Sequence, residues 1–371
     1  MVTVKYDKGG THQWTKTLNG LSNSDDRAED LCVGPTGNIY VVGTTQNAPS
    51  DKDVTTIKYL PNGDTAWVRH FAGFPGSEYC GGWGVTADDI GNVFVVGYIG
   101  ISLFASRDFL IIKYNSQGDT VWTQTYDGPA GDRDEAVYVE LDETGNVVVV
   151  GPSKGSTNPT GWMDYLTLKC NPNGDTLWSR RYNSTTSAES ANDIPYDLAV
   201  DTGGNIYVSG TSDHDTFAST EDDILVVKYS PDGDQLWEAR FNSPGNVDDD
   251  ANAMFLDEDL NVYVAASTEG YGGEMYDQLM VKFVQEFCEC PFQCDYDEDG
   301  FLTNIDLAAL IDVLFRGEPT IQDPGCPVVR GDFNNDTFPD NIDLSGLIDH
   351  LFVNGDPPCD PCNPVQSTCA K

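Results

Sequence analysis

The chain has 371 residues, 39% of them hydrophobic, with 37 glycines, enough apolar side chain for more than one packed core and a composition that suits turn-rich β structure. Its 60 Asp and Glu stand against 20 Lys and Arg, a formal net charge of −40. That charge argues against nucleic acid phosphates and anionic lipid surfaces as partners and favours cations. No apolar run approaches the ~20 residues that a membrane span needs.

In chain order, the sequence opens with Val2-Thr3-Val4-Lys5-Tyr6, already inside a repeat, so an amino-terminal portion and a leader are expected to precede it. The repeat recurs every 53 to 59 residues. One signature runs from Ile57 to Trp67 as Ile-Lys-Tyr-Leu-Pro-Asn-Gly-Asp-Thr-Ala-Trp and returns at Ile112 to Trp122, Leu168 to Trp178 and Val227 to Trp237. A degenerate copy spans Val4 to Trp14, and Val281-Lys282-Phe283 begins another. A second signature, Gly37-Asn38-Ile39-Tyr40-Val41-Val42-Gly43, returns at Gly91 to Gly97, Gly145 to Gly151, Gly204 to Gly210 and loosely at Leu260 to Ala266. Asn-Gly, Asp-Gly and Gly-Asp steps between alternating apolar runs predict hairpins, four short strands to each unit. Val147 to Val150 reads as a strand buried on both faces, as an inner strand should be.

These residues resemble the bacterial β-propeller repeats of the SBBP type. The resemblance implies a mainly β fold, a β-propeller of four-stranded blades over residues 1–285 with five or six blades visible, the first strands completing the last blade if the ring closes. The recurring Trp reads as blade packing. Trp83 and Trp162 break the register and are open to either packing or ligand stacking. The acidic clusters at Asp25-Asp26, Asp132 to Glu135 and Asp248 to Asp250 precede equivalent strands and read as solvated blade entries.

Nothing in the array reads as catalytic. Gly151-Pro152-Ser153-Lys154-Gly155 fits the Gly-x-Ser-x-Gly pattern, but it sits in a strand-to-strand connection rather than a strand-to-helix elbow, and reads as a chance match. His12, His70, His214 and His350 share no spacing. Carboxylates are too numerous for one pair to stand out as a glycosidase pair.

Beyond Glu286 the composition changes. Three of the ten cysteines are scattered, at Cys32, Cys80 and Cys170. The other seven crowd the end at Cys288, Cys290, Cys294, Cys326, Cys359, Cys362 and Cys369. They favour disulfides in an oxidising compartment over zinc, although Cys288-x-Cys290 and Cys359-x-x-Cys362 have the look of zinc half-sites. Between them lie two matching twelve-residue loops. Calcium wants six to eight oxygens, supplied by loop positions one, three, five, nine and twelve and a carbonyl at seven. In the first loop these are Asp295, Asp297, Asp299, Thr303 and Asp306 with the carbonyl of Phe301, and Gly300 makes the turn at position six. In the second they are Asp332, Asn334, Asp336, Asp340 and Asp343 with the carbonyl of Phe338, and Thr337 replaces the turn glycine, which should weaken that site. Leu307, Leu310, Ile311 and Leu314 after the first loop, and Leu344, Leu347, Ile348 and Leu351 after the second, make one apolar stripe each, predicting a small α loop–helix pair.

Tandem loop–helix halves with Asp at position twelve resemble the type I dockerin family. The resemblance implies two Ca2+ sites and docking onto a cohesin-like or other surface partner, read by positions ten and eleven, here Asn304-Ile305 and Asn341-Ile342. The expected organisation is a propeller at 1–285, a Cys-containing linker at 286–293, a dockerin-like domain at 294–358 and a Cys-rich tail at 359–371. The expected protein is an extracellular or cell-surface, non-catalytic scaffold with a polysaccharide or protein ligand on its propeller. The alternative is an extracellular polysaccharide-active hydrolase or lyase delivered to a complex by the same module.

Overall fold

The computed structural model describes residues 1–284 except 21–23, 49–50, 76–78, 101–105, 156–162, 185–191, 214–221, 244–246 and 270–275. The chain divides into a unit of residues 1–285 and a second of 286–371. Both acidic loops, the partner positions and the helices expected after the loops lie outside the described residues.

Every regular element among the described residues is a β-strand. A hairpin of β1 (Val2–Tyr6) and β2 (His12–Thr17) comes first. Blade one is β3 (Arg27–Val33), β4 (Ile39–Ala48), β5 (Asp51–Tyr59) and β6 (Thr65–Phe71). Blade two is β7 (Tyr79–Ala87), β8 (Val93–Gly100), β9 (Arg107–Tyr114) and β10 (Thr120–Tyr126). Blade three is β11 (Tyr138–Leu141), β12 (Val147–Lys154), β13 (Met163–Cys170) and β14 (Thr176–Tyr182). Blade four is β15 (Asp193–Val200), β16 (Ile206–Asp213), β17 (Asp222–Tyr229) and β18 (Gln235–Phe241). Among the described residues blade five has three strands, β19 (Asp249–Leu256), β20 (Val262–Glu269) and β21 (Tyr276–Phe283). Each blade is an antiparallel meander in chain order, and a single parallel bridge, Lys52 to Tyr79, links blades one and two.

Alternation with a period of two explains how the blades stack. Val93 and Val95 of β8 pack on Tyr40, Val42 and Val54 of blade one, while Phe94 and Val96 pack on Val147, Val149 and Leu166 of blade three. Val148 and Val150 in turn meet Ile206, Val208 and Leu225 of blade four. The Val147 to Val150 run is therefore buried on both faces, as its composition predicts, but it belongs to the second strand of its blade. The first strand, β11, is the one that reaches the inner cavity. The opening hairpin does not complete the last blade either. It forms its own sheet, and Met1, Trp14 and Leu18 pack on Ile39, Val41, Ile57 and Tyr59 of blade one.

The recurring Lys, Trp and turn Gly form a latch between consecutive blades. Lys58 Nζ and Trp67 Nε1 of blade one both donate to the Ser116 carbonyl of blade two, at 3.0 and 3.3 Å. Lys113 and Trp122 do the same to Pro172, Lys169 and Trp178 to Pro231, and Lys5 and Trp14 to Pro61. The indole then lies against the turn of the next blade. At Gly233, φ is +85° and an added Cβ would sit 2.7 Å from the Trp178 ring, so both backbone and space demand glycine there.

Candidate functional site

The first strands of the blades carry the least uniform sequence. In each of β3, β7, β15 and β19 the register slips by one residue, at Glu29, Trp83, Tyr196 and Asn252 respectively. Val137, just before β11, occupies the corresponding place: its N–H bonds the Val150 carbonyl, and Tyr138 then pairs with Val150. A bulge leaves one residue outside the ladder and re-aims its side chain. It also brings the backbones close: a Cβ at Gly43 would lie 1.9 Å from the Arg27 carbonyl. That approach accounts for the glycine that ends the second signature. Four of the bulge-position residues, Glu29, Trp83, Val137 and Tyr196, line one cavity of about 670 Å3 between blades one to four. Asp30, Cys32, Arg133, Tyr138, Glu140 and Asp197 complete its polar and aromatic wall.

Its three central carboxylates do different things. Asp30 accepts N–H bonds from Leu31 and, in blade two, Val85 at 2.9 Å. Asp197 accepts from Leu198 and, in blade five, Met254 at 2.6 Å. These two residues occupy equivalent positions and tie first strands together across blades. Glu140 has no such cross-blade bond. Cys32, Thr86, Ala199 and Phe255 stand at its position in the other blades, so the repeat does not require a carboxylate there. Glu140 is exposed at the cavity wall, and partial desolvation by that wall raises its carboxyl above the ordinary value, with repulsion from Asp197 and Asp30 adding to the effect. Partial desolvation is likewise the main cause that raises Asp30, which is exposed, and Asp197, which is half-buried. The Cys32 thiol is pushed up to about 12, by burial first and then by Asp30 and Glu140. It is therefore a protonated thiol at neutral pH rather than a thiolate nucleophile.

At one side of the cavity Glu135 is paired with Arg107 and, at 3.0 Å, with Arg133. Arg107 lies over the Tyr98 ring at 4.6 Å and the Tyr79 ring at 5.4 Å. Trp83 stands at the junction of this wall with a second cavity. Trp83 is thus found in a site, whereas Trp162 lies outside the described residues.

The acidic blade entries are only partly the solvated clusters expected: Asp25 is exposed and Asp26, Asp132, Asp248 and Asp250 are half-buried, but others are drawn inside. Asp134, Asp193 and Asp249 are fully buried and Glu135 is nearly so. Asp134 accepts the Gly128 N–H, Asp193 the Ser184 N–H and Asp249 the Ser243 N–H, at 2.6 to 2.8 Å. A recurring Asp thus caps the connection that enters blades three, four and five. Ser153 of the Gly-x-Ser-x-Gly match is buried, and its hydroxyl donates to Asp134 while Arg181 bonds it from the other side. It acts as a strut. Asp108, Asp127 and Asp134 bring carboxylate oxygens within 4.8 Å of one another, the one grouping of metal-ligand type among the described residues. Both Asp134 oxygens already accept bonds, from Gly128 and Ser153, so this grouping is tied into the blade entry. Cys32, Cys80 and Cys170 are free thiols.

Residues 177–218 match the family model of the beta-propeller repeat, SBBP. The matched segment runs from the Trp-bearing β14 through the first two strands of blade four, so it joins the latch to the following blade. No curated protein sequence matches the chain. Among solved structures, the chain is similar to the endo-arabinase from Bacteroides thetaiotaomicron, at 11% identity over 73% of this chain and 99% of that one, with a TM-score of 0.37. It is similar to the GH93 alpha-L-arabinofuranosidase of Fusarium graminearum, solved with arabinobiose, at 12% identity over 76% and 84% with a TM-score of 0.46. A protein of unknown function from Bacteroides caccae matches at 11% identity over 63% and 73%, TM-score 0.37. These likenesses concern the fold. They stand against one expectation, that the array does no chemistry: the solved structures similar to the chain include glycoside hydrolases. No helix among the described residues is long and apolar enough to cross a membrane.

Proposed function

We propose that the array is the saccharide-active part of an extracellular protein, a hydrolase or lyase, with its site in the cavity between blades one to four. The observation that carries this reading is Glu140: a carboxyl raised by its surroundings, free of cross-blade duty, in a cavity walled by Trp83, Tyr138 and Tyr196. Aromatic rings present faces on which sugar rings stack. A carboxyl whose surroundings favour its protonated form suits general acid catalysis. Asp30 and Asp197 hold the strands that frame it. The crowded cysteines from Cys288 to Cys369 support an oxidising compartment.

The test is a panel of plant and bacterial polysaccharides incubated with the full chain, with product release followed as new reducing ends and as unsaturated products. Release that disappears in Glu140→Gln supports the reading. No release from any polysaccharide, or undiminished release by the variant, rejects it.

The dockerin-like segment supplies delivery in this proposal. The spacing of Asp295, Asp297, Asp299, Thr303 and Asp306, repeated from Asp332 to Asp343, supports two calcium ions and docking through Asn304-Ile305 and Asn341-Ile342 onto a surface partner. Calorimetric titration of the full chain should give two saturable calcium sites of this class, one lost in Asp295→Ala and the other in Asp332→Ala. Calcium heats unchanged by both substitutions would reject the assignment.

A further inference from the structure

The second cavity, about 220 Å3, adjoins the first, and the two share Glu29 and Trp83. In a chain with only 20 basic residues, three of them line this small space: Arg27, Lys52 and Arg107. Several basic side chains elsewhere in the array are used as struts. Lys58, Lys113 and Lys169 hold carbonyls of the next blade, and Arg181 bonds Asp164 and Ser153. Lys52 is different. Its ammonium lies 4.9 Å over the Tyr79 ring and makes no ion pair among the described residues, although the chain carries three acids for every base. Arg27, exposed at the same rim, also makes no ion pair there.

We infer that the saccharide bound by the array is anionic, a uronic-acid polymer, and that Lys52 and Arg27 receive its carboxylate. This inference rests on the saccharide reading of the adjoining cavity. The rim offers what one uronate residue presents. A ring face can stack on Trp83, hydroxyls can donate to Asp25 and Glu29, and one carboxylate can meet the two cations. Asp25 and Glu29, on a chain of net charge −40, disfavour a ligand made only of charge, such as a polyphosphate. A sugar with a single carboxylate and several hydroxyls matches the mixed lining. Arg107, already paired with Glu135 and stacked on Tyr98, fixes the aromatic floor and adds positive potential.

The experiment is calorimetric binding of trimers to the full chain. The probes are galacturonate, mannuronate and glucuronate trimers, the methyl esters of the same trimers, and neutral galactose and arabinose trimers. The expected result is that at least one free acid binds about tenfold or more tightly than its ester. Lys52→Gln and Arg27→Gln should each weaken the acid about fivefold and leave the ester unchanged. Both residues lie at a rim, and unchanged melting temperatures of the two variants would separate lost binding from lost folding. Neutral trimers that bind as tightly as every acid would overturn the anionic inference and leave the saccharide reading standing. Acid binding untouched by both substitutions would overturn the assignment of Lys52 and Arg27. Binding of no trimer of either kind would remove the saccharide reading, and the inference with it.

Discussion

The outer and inner strands of the same blades are built on opposite rules. On the outer side, four consecutive units place a Lys and a Trp on one carbonyl of the next turn, with a glycine beneath the indole. On the inner side, the bulge position holds Glu29, Trp83, Val137, Tyr196 or Asn252, and the position of Glu140 never holds a second carboxylate. Repetition marks what stacking needs. Divergence marks what stacking leaves free, and that is where the cavity lies. The difference predicts that substitutions at the latch act on stability, whereas substitutions at divergent inner positions act on ligand and turnover.

The largest expected effect is at the latch. Gly233→Ala forces an L-residue into φ +85° and a methyl group against Trp178. Strain and overpacking together should destabilise the array by about 3 kcal/mol, read as a lower midpoint in denaturant. A change below about 1 kcal/mol would mean that the blades do not depend on this contact. Asp193→Ala comes next. It removes the acceptor of the Ser184 N–H and the Ser212 hydroxyl in a fully buried place, and should cost about 2 kcal/mol by the same assay. A neutral outcome would return the blade entries to the solvated role first expected.

A smaller effect concerns pH. Burial, then repulsion from Asp248 and Asp250, raises the Asp222 carboxyl from 3.8 to about 7. Because the folded state favours the protonated form, this contribution to stability is full below about pH 4 and is lost as pH rises through 7. Asp222→Asn should therefore be more stable than the parent at pH 8, by about 1 kcal/mol once solvent screening is allowed for, and equal to it near pH 4. A variant less stable at pH 8 would show that the charged carboxylate is held by favourable contacts.

Much of the fold was legible in the sequence because hairpin chemistry is local. Gly-Asp and Asn-Gly steps and alternating apolar runs mark the strands, and the spacing of Lys-Tyr and Trp marks the units. The destinations of side chains were not legible, because they depend on the neighbouring blade. The Trp67 ring finds its acceptor at Ser116, 49 residues away, and Lys169 finds its own at Pro231, 62 residues away. For the same reason Asp134 and Asp249 looked like surface acids until stacking buried them. Trp83 was visible as a break in register, but its bulge, and with it the reason it enters two cavities, follows from the pairing of β7 with β8. Glu140 gave no signal beyond its absence from the other copies.

The most direct test of the division between the two sides is Glu140→Gln, measured for melting temperature and for product release from the best polysaccharide of the panel. The account predicts a melting temperature within about 2 °C of the parent, because no cross-blade bond is lost, and product release lower by a factor of about 100 or more. A lower melting temperature with release preserved would make Glu140 one more piece of the scaffold and would contradict the account.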